Sequence, residues 1–169
     1  MSHSWFPFRR NYQYSVLMVC RANICRSPMA EGLFRHHLQR FGMDREIAAD
    51  SAGTHASQPG KRPDTRAQEV CTENGVSIGK IKARQVVDAD FDKYDLILAA
   101  DAATQQWLSS FGSQPEKVEL ITKWHAQKSG RDIPDPYFGN VEGFVEIFRQ
   151  LSVCTENLAG ELKSKIGGP

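Results

Sequence analysis

The sequence predicts an α/β domain of three layers, α/β/α, on a four-stranded parallel sheet of the doubly wound kind. Three observations predict it. Four short apolar runs, "YSVLMVC", "EIAADSAGT", "YDLILAAD" and "KVELI", have strand length, and helical patterns separate them. Strands that alternate with helices pair in parallel, with the crossover helices covering both sheet faces. The chain has 169 residues, 40% hydrophobic and 24% charged, which suits one domain with a real core and excludes a disordered chain.

Taken in order, residues 1–13, "MSHSWFPFRRNYQ", read as an N-terminal arm, expected to be flexible, and residues 14–169 as a single domain. "YSVLMVC" is the first buried strand. From Ser27, "SPMAEGLFRHHLQRFG" has a capping serine, proline at the first helical position and Gly42 as its stop. Leu33, His37 and Phe41 share one face of this helix, flanked by Phe34 and Leu38. "EIAADSAGT" is a weaker second strand, followed by the turn-rich loop "HASQPGKRPD". "TRAQEVCTENG" is a short helix closed by Gly75. "YDLILAAD" is the clearest buried strand, and Asp101 caps the helix "AATQQWLSSFG". "KVELI" is the fourth strand, "TKWHAQKSGRDIPDPYFGN" a long irregular connection, and "VEGFVEIFRQLSVCTENLAGELKSKI" the closing amphipathic helix.

A net charge of +1 argues against a dedicated nucleic-acid binder. No apolar stretch is long enough to span a membrane, and the N-terminus has no signal-peptide pattern. Cys20, Cys25, Cys71 and Cys154 are irregularly spaced in a long chain, so they are expected to be thiols in a reducing, cytoplasmic setting rather than a disulfide framework. No Cys/His set has zinc spacing, and adjacent His36 and His37 point in different directions, so no metal or cofactor is expected.

Ligands of doubly wound sheets bind beyond the carboxyl ends of the strands, and Cys20 ends the first strand. Cys20, Arg21, Ala22, Asn23, Ile24, Cys25 and Arg26 form the pattern Cys-x5-Arg, with Ser27 and Pro28 opening the helix. A loop into a helix N-terminus turns backbone N–H groups inward, and the helix dipole adds positive charge there. A phosphate-sized dianion fits that setting, with Arg26 clamping two oxygens. The same surroundings favour a thiolate at Cys20, and the Ser27 hydroxyl is placed to donate to it. Asn23 tolerates positive φ and holds the loop open. A lone buried cysteine is usually a packing residue, but these residue types together at a strand-to-helix junction point to chemistry.

"VCRANICRSPMAEGLF" resembles the phosphate-binding loop of the low-molecular-weight protein tyrosine phosphatases. The likeness continues through "DSAGT", "ARQ", "FDKYDLILAAD" and "DPYFGN" in family order and covers nearly all of residues 14–160, with a bacterial cast. The resemblance implies a flavodoxin-like fold and hydrolysis of phosphotyrosine or aryl phosphate monoesters through phosphocysteine. Its partners would be a phosphotyrosine-containing protein and inorganic phosphate or a similar oxyanion in the loop. It implies that Asp135 is the general acid and then the base for water, in preference to nearby Asp132. It also implies an aromatic wall at Tyr137, helped by Phe138, and support of Asn23 by Ser51. Asp101, Arg66 and Arg84 match structural positions: a cap and ion-pair partners. In the family, a pair such as Cys20 and Cys25 forms a protective reversible disulfide.

Three departures stand out. Ala22 replaces a glycine, Ile81 stands where the family often has a histidine supporting the asparagine, and "HASQPG" offers only His55 where many members have an aromatic second wall. Arg21 favours acidic flanks on a substrate or is a solvated rim residue. Arsenate reduction on the same fold is the nearest rival, but it needs a downstream redox cysteine pair, and no cysteine lies between Cys71 and Cys154. A non-catalytic phosphotyrosine-binding protein would keep Arg26 while tolerating loss of Cys20 or Asp135, and both are present.

Overall fold

The computed structural model describes residues 11–167; most of the expected N-terminal arm, residues 1–10, lies outside them. Four strands form one sheet: β1 (Tyr14–Cys20), β2 (Ile47–Gly53), β3 (Leu96–Ala99) and β4 (Val118–Leu120). Every pairing is parallel, in the order β2-β1-β3-β4. Five α-helices connect or close it: α1 (Arg26–Arg40), α2 (Thr65–Glu73), α3 (Ala89–Lys93), α4 (Ala102–Phe111) and α5 (Val141–Ile166).

Side-chain alternation along β1 builds two cores from one strand. Val16, Met18 and Cys20 point into the core under α1, α2 and α5, while Leu17 and Val19 point into the core under α3 and α4. β3 repeats the division, with Leu96 and Leu98 on the first side and Ile97 and Ala99 on the second. A sheet buried on both faces needs nearly continuous apolar strands, which is why "VLMVC" and "LILA" are uniformly buried.

The chain leaves β1 for β2 on one side and reaches β3 on the other, so strand order reverses between β1 and β3. Doubly wound sheets open a crevice at the carboxyl ends of the strands at such a point. The loop after Cys20 lies there.

Most expected elements are present, with two corrections. Ser27 does not cap α1: the helix begins at Arg26, its N-cap is Cys25, and no side chain caps it. The segment at Ala89–Lys93 forms a short helix that the sequence reading passed over, because "ADFDK" is only one turn and has no periodic signal of its own. Asp101 does cap α4, its side chain accepting from the Thr104 amide at 2.8 Å.

Candidate active site

Cys20 is the last residue of β1 and α1 begins six residues later, so the loop closes a tight arc against the helix N-terminus. The first amides of α1 have no intrahelical acceptor and face the loop at the positive end of the helix dipole. Asn23 makes the arc possible: its φ is +59°, and it is the one non-glycine residue with positive φ among the described residues. Ala22 therefore does not occupy the left-handed region, and its methyl group meets no backbone restriction of the kind glycine relieves.

Asn23 is fully buried and its amide is fixed at both ends. Oδ1 accepts from the Arg84 backbone N–H at 3.0 Å, while Nδ2 donates to Ser27 Oγ at 2.8 Å and to Ser51 Oγ at 3.0 Å. Ser27 Oγ lies 3.1 Å from Cys20 Sγ. The support that Ile81 cannot give to the asparagine comes instead from the Arg84 backbone and from Ser51. Ser51 in turn donates to the buried Glu31 at 2.7 Å. Sequence reasoning did not single out Glu31, because one acidic residue in a helix carries no signal of its burial.

Arg26 is 4% exposed at its side chain. Nη1 donates to Asp101 Oδ2 at 2.6 Å and to the Ile133 carbonyl at 2.9 Å, and Nη2 stands 3.6 Å from Asp135 Oδ2. Burial alone would lower the Arg26 pKa, but the Cys20 sulfur, Asp101 and Asp135 outweigh it and hold the guanidinium charged. Asp101 is thus more than a cap: it orients the arginine from behind.

Two aspartates compete on the late loop, and geometry separates them. Asp132 accepts from the Ala102 amide at 2.8 Å, a second cap on α4. Asp135 is half-exposed at the mouth, accepts from the Tyr137 amide at 3.1 Å, and faces Arg26. Arg66 holds this loop in place by donating to the Tyr137 and Gly139 carbonyls, at 3.0 and 3.1 Å, while Asp64 grips it from behind. Its guanidinium also lies over the Tyr137 and Phe144 rings.

These elements enclose a cavity of about 270 Å³. Cys20, Cys25, Arg26 and Asp135 line it, with Arg21, Ala22 and Ile24 from the loop. Tyr137 and Phe138 form one wall, their rings edge to face at 5.0 Å, with Phe138 96% exposed at the rim. The opposite wall corrects the sequence reading. His55 does not line the cavity; its ring lies 5.7 Å from Trp107. Ser57 and Gln58 of the same loop take that place, so the second wall is small and polar. The loop turns between His55 and Ser57, where the Ser57 N–H donates to the His55 carbonyl at 3.0 Å. Asn23, Ser27 and Ser51 stand behind the cavity and support it.

All four cysteines are free and buried. Burial and the Asp64 carboxylate raise the Cys25 thiol, and burial pushes Cys71 and Cys154 up to about 12, so none of these three is a ready nucleophile. Among the described residues, no group of three His, Cys, Asp or Glu is placed to hold a metal ion, and no helix is long and apolar enough to cross a membrane.

The end of β2 is stitched to the loop. Thr54 N–H donates to the Cys20 carbonyl at 3.0 Å and His55 N–H to the Arg21 carbonyl at 2.8 Å. A Cβ on Gly53 would stand 2.7 Å from the Arg21 carbonyl oxygen and 3.1 Å from the Ala22 carbonyl carbon. Gly53→Ala should therefore displace the loop and destabilise the domain by about 1–3 kcal/mol. Thermal unfolding measures the stability loss, and oxyanion affinity by calorimetry measures the displaced loop. Unchanged affinity would show that the loop yields without cost.

Comparison with known proteins agrees with this geometry. Residues 15–167 match the family model described as low molecular weight phosphotyrosine protein phosphatase. The low molecular weight protein-tyrosine-phosphatase YfkJ of Bacillus subtilis is 36% identical over 154 residues, covering 89% of this chain and 97% of that protein. A protein tyrosine phosphatase from Entamoeba histolytica, solved with Hepes in its active site, superposes with a TM-score of 0.85 at 30% identity, over 90% of this chain and 98% of that one. Wzb from Vibrio vulnificus, solved with benzylphosphonate, gives 0.79 at 30% identity, over 88% and 98%.

Proposed function

The chain belongs to the low molecular weight phosphotyrosine protein phosphatase family, and from that premise we propose that Cys20, Arg26 and Asp135 carry its catalytic cycle. The protein is a hydrolase of phosphoric monoesters, a protein tyrosine phosphatase working through phosphocysteine. The observation that carries the assignment of residues is their convergence: thiol, guanidinium and carboxylate line one cavity, with Arg26 Nη2 3.6 Å from Asp135.

The phosphoryl dianion of the substrate enters the loop, where the first amides of α1 and the Arg26 guanidinium bind its oxygens. Cys20 Sγ attacks phosphorus as the thiolate, forming the S–P bond while the P–O bond to the phenol breaks. Asp135 delivers its proton to the departing oxygen, so the phenol leaves neutral. Ser27, 3.1 Å from the sulfur, stabilises it as nucleophile and again as leaving group. The Asp135 carboxylate then takes a proton from water as that water attacks phosphocysteine, releasing inorganic phosphate and the thiolate. Its half-exposed position allows water to reach it.

The aryl ring of phosphotyrosine lies between Tyr137 and the apolar Ile24, with Phe138 at the rim. The small polar side formed by Ser57 and Gln58 leaves room for flanking chain, and Arg21 favours acidic residues there. Arsenate reduction is not favoured: no cysteine between Cys71 and Cys154 is available to relay a disulfide, and both are buried.

Hydrolysis of an aryl phosphate by the purified protein tests the reading directly, and no turnover by the wild type overturns it. Asp135→Asn tests the acid. Its kcat/KM, which reports phosphocysteine formation and not the shared hydrolysis step, is expected to fall about 10²-fold or more for phenyl phosphate, and less for p-nitrophenyl phosphate, whose anion leaves without a proton. Equal losses in kcat/KM on both substrates would remove Asp135 from the role of acid.

A further inference from the structure

Five exposed cations lie on the chain segments that rim the cavity. The segment 55–64 is tied to the phosphate loop at both of its ends: the His55 N–H donates to the Arg21 carbonyl at 2.8 Å, and the Asp64 N–H to the Ile24 carbonyl at 2.8 Å. Between these ties come Ser57 and Gln58, which wall the cavity, and then Lys61 and Arg62, both exposed. A second segment is bonded to the first. The Gly60 N–H donates to the Ala83 carbonyl at 2.7 Å, and the Ala83 N–H to the Lys61 carbonyl at 2.8 Å. Gln85 clamps the same pair, accepting from the Ala56 amide at 2.9 Å and donating to the Thr54 carbonyl at 2.6 Å. Lys80 and Lys82 are exposed on this second segment, and Arg21 is exposed on the phosphate loop itself.

Ion pairing divides the basic residues of this region into two sets. Arg66 is engaged by Asp64, and Arg84 by Asp50 and Asp90. Among the described residues, Arg21, Lys61, Arg62, Lys80 and Lys82 form no ion pair. The acids of the stretch 55–84 are Asp64, already paired, and Glu69 and Glu73 on α2. The whole chain carries a net charge of +1, so five unpaired cations on one rim are a local concentration of charge and not a share of a generally basic surface.

We propose that this rim is a docking subsite for an acidic segment of the protein substrate, with aspartates or glutamates close to the phosphotyrosine in sequence. The proposal rests on the phosphatase assignment and names the class of protein on which that activity is directed. The phosphate loop fixes the phosphotyrosine, and Tyr137 and Phe138 close one side of the cavity. The low polar side at Ser57 and Gln58 is the exit for the rest of the substrate chain, and the same segment continues into Lys61 and Arg62. Three residues of extended chain span about 10 Å, so flanking carboxylates meet the rim while the phosphate is seated. Exposed charge pairs are individually weak, so the rim acts by summation and is weakened by salt. Continuity with the cavity favours a substrate segment over a lipid surface.

Two phosphotyrosine peptides of equal length test the subsite, one with glutamates and the other with glutamines around the phosphotyrosine. A third substrate, p-nitrophenyl phosphate, has no flanks. The wild type is expected to favour the glutamate peptide by about tenfold in kcat/KM at low ionic strength, and the preference to fall as salt is added. The double variant Lys61→Glu, Arg62→Glu is expected to lose the preference while keeping p-nitrophenyl phosphate turnover within about twofold of wild type. The double alanine variant is expected to lose part of it, and serves if the charge reversal disturbs folding. A preference that survives in these variants overturns the proposal. So does a loss of equal size on both peptides, which is not a charge effect. No preference in the wild type overturns it too, and rim-dependent binding to vesicles of phosphatidylcholine and phosphatidylserine would then assign the rim to a lipid surface. Binding of the same peptides to Cys20→Ser, read by fluorescence anisotropy, needs no turnover. A wild type inactive on p-nitrophenyl phosphate would therefore overturn the phosphatase assignment, while the salt-dependent difference between the two peptides still tests the rim.

Discussion

Cys20→Ser is expected to lose at least about 10⁴-fold in turnover of an aryl phosphate while still binding inorganic phosphate or vanadate. The reason lies in the surroundings of the sulfur. The loop provides a hydroxyl donor at 3.1 Å and a guanidinium, groups that stabilise an anion already formed. It provides no base beside the nucleophile to create one from a serine hydroxyl, whose ionisation lies far above neutral pH. The carboxylate lining the cavity, Asp135, faces Arg26 from the mouth. Serine is smaller than cysteine, so the oxyanion cradle stays open. Single-turnover kinetics and calorimetric titration with phosphate measure the two halves of the prediction. Retained turnover would remove covalent catalysis by Cys20 from the mechanism, and lost phosphate binding would show that the sulfur also shapes the cradle.

Arg26→Lys should cost about 10³-fold in kcat/KM, although charge is conserved. Arg26 divides its donors between two directions: Nη1 serves Asp101 and the Ile133 carbonyl, and Nη2 faces the cavity. An ammonium group cannot hold both directions in one plane. If it stays with Asp101, the phosphoryl oxygens lose their clamp; if it turns to the cavity, Asp101 is left without its partner. The second choice has a signature in stability. Burial alone would raise the Asp101 pKa, but hydrogen bonds from Thr104 and Arg26 outweigh it and hold the carboxyl below the usual range. A depressed folded pKa stabilises the fold above the ordinary carboxylate range, and that contribution is lost as pH falls through the depressed value. Weakening the Arg26 contact moves this loss to higher pH, so the acid limb of unfolding should shift upward in the lysine variant. An acid limb that does not move, together with activity within about tenfold of wild type, would show that the fork is dispensable.

The fold was legible because its signals are local. Uniform apolar runs at Val16–Cys20 and Leu96–Ala99 have one reading, strands buried on both faces, and the alternation with helices leaves few topologies. The loop was equally legible: strand, Cys-x5-Arg, helix is a continuous piece of chain whose geometry follows from the elements at its two ends. Asp101 as the cap of α4 belongs to the same class, since a cap needs only three following residues.

The errors fell where a residue's role depends on a helix boundary or on a partner distant in the chain. Ser27 has the right type for a cap, but the helix begins one residue before it, at Arg26, and its hydroxyl serves Cys20, as expected, and Asn23 within the same loop. His55 was the available aromatic in its loop, but one turn of backbone directs it to Trp107 and places Ser57 and Gln58 in the wall. Asp132 and Asp135 were separated by resemblance, and the structure adds the physical ground: Asp132 caps α4.

The sequence alone determined the order of elements and the strand-to-helix loop with its thiol and guanidinium, because these follow from local periodicity, turn chemistry and spacing; the late aspartate was implied by the family resemblance. Only the tertiary structure decided that Ser27 does not cap α1, that Ser57 and Gln58 rather than His55 wall the cavity, and that the Arg84 backbone and Ser51, itself held by Glu31, fix Asn23. Such contacts join residues far apart in the chain, as the Arg84 amide and Asn23, 61 positions apart, or Arg26 and the Ile133 carbonyl, 107 apart. Hydrogen-bond direction and distance exist only once the sheet has brought β1, β2 and the late loop to one edge.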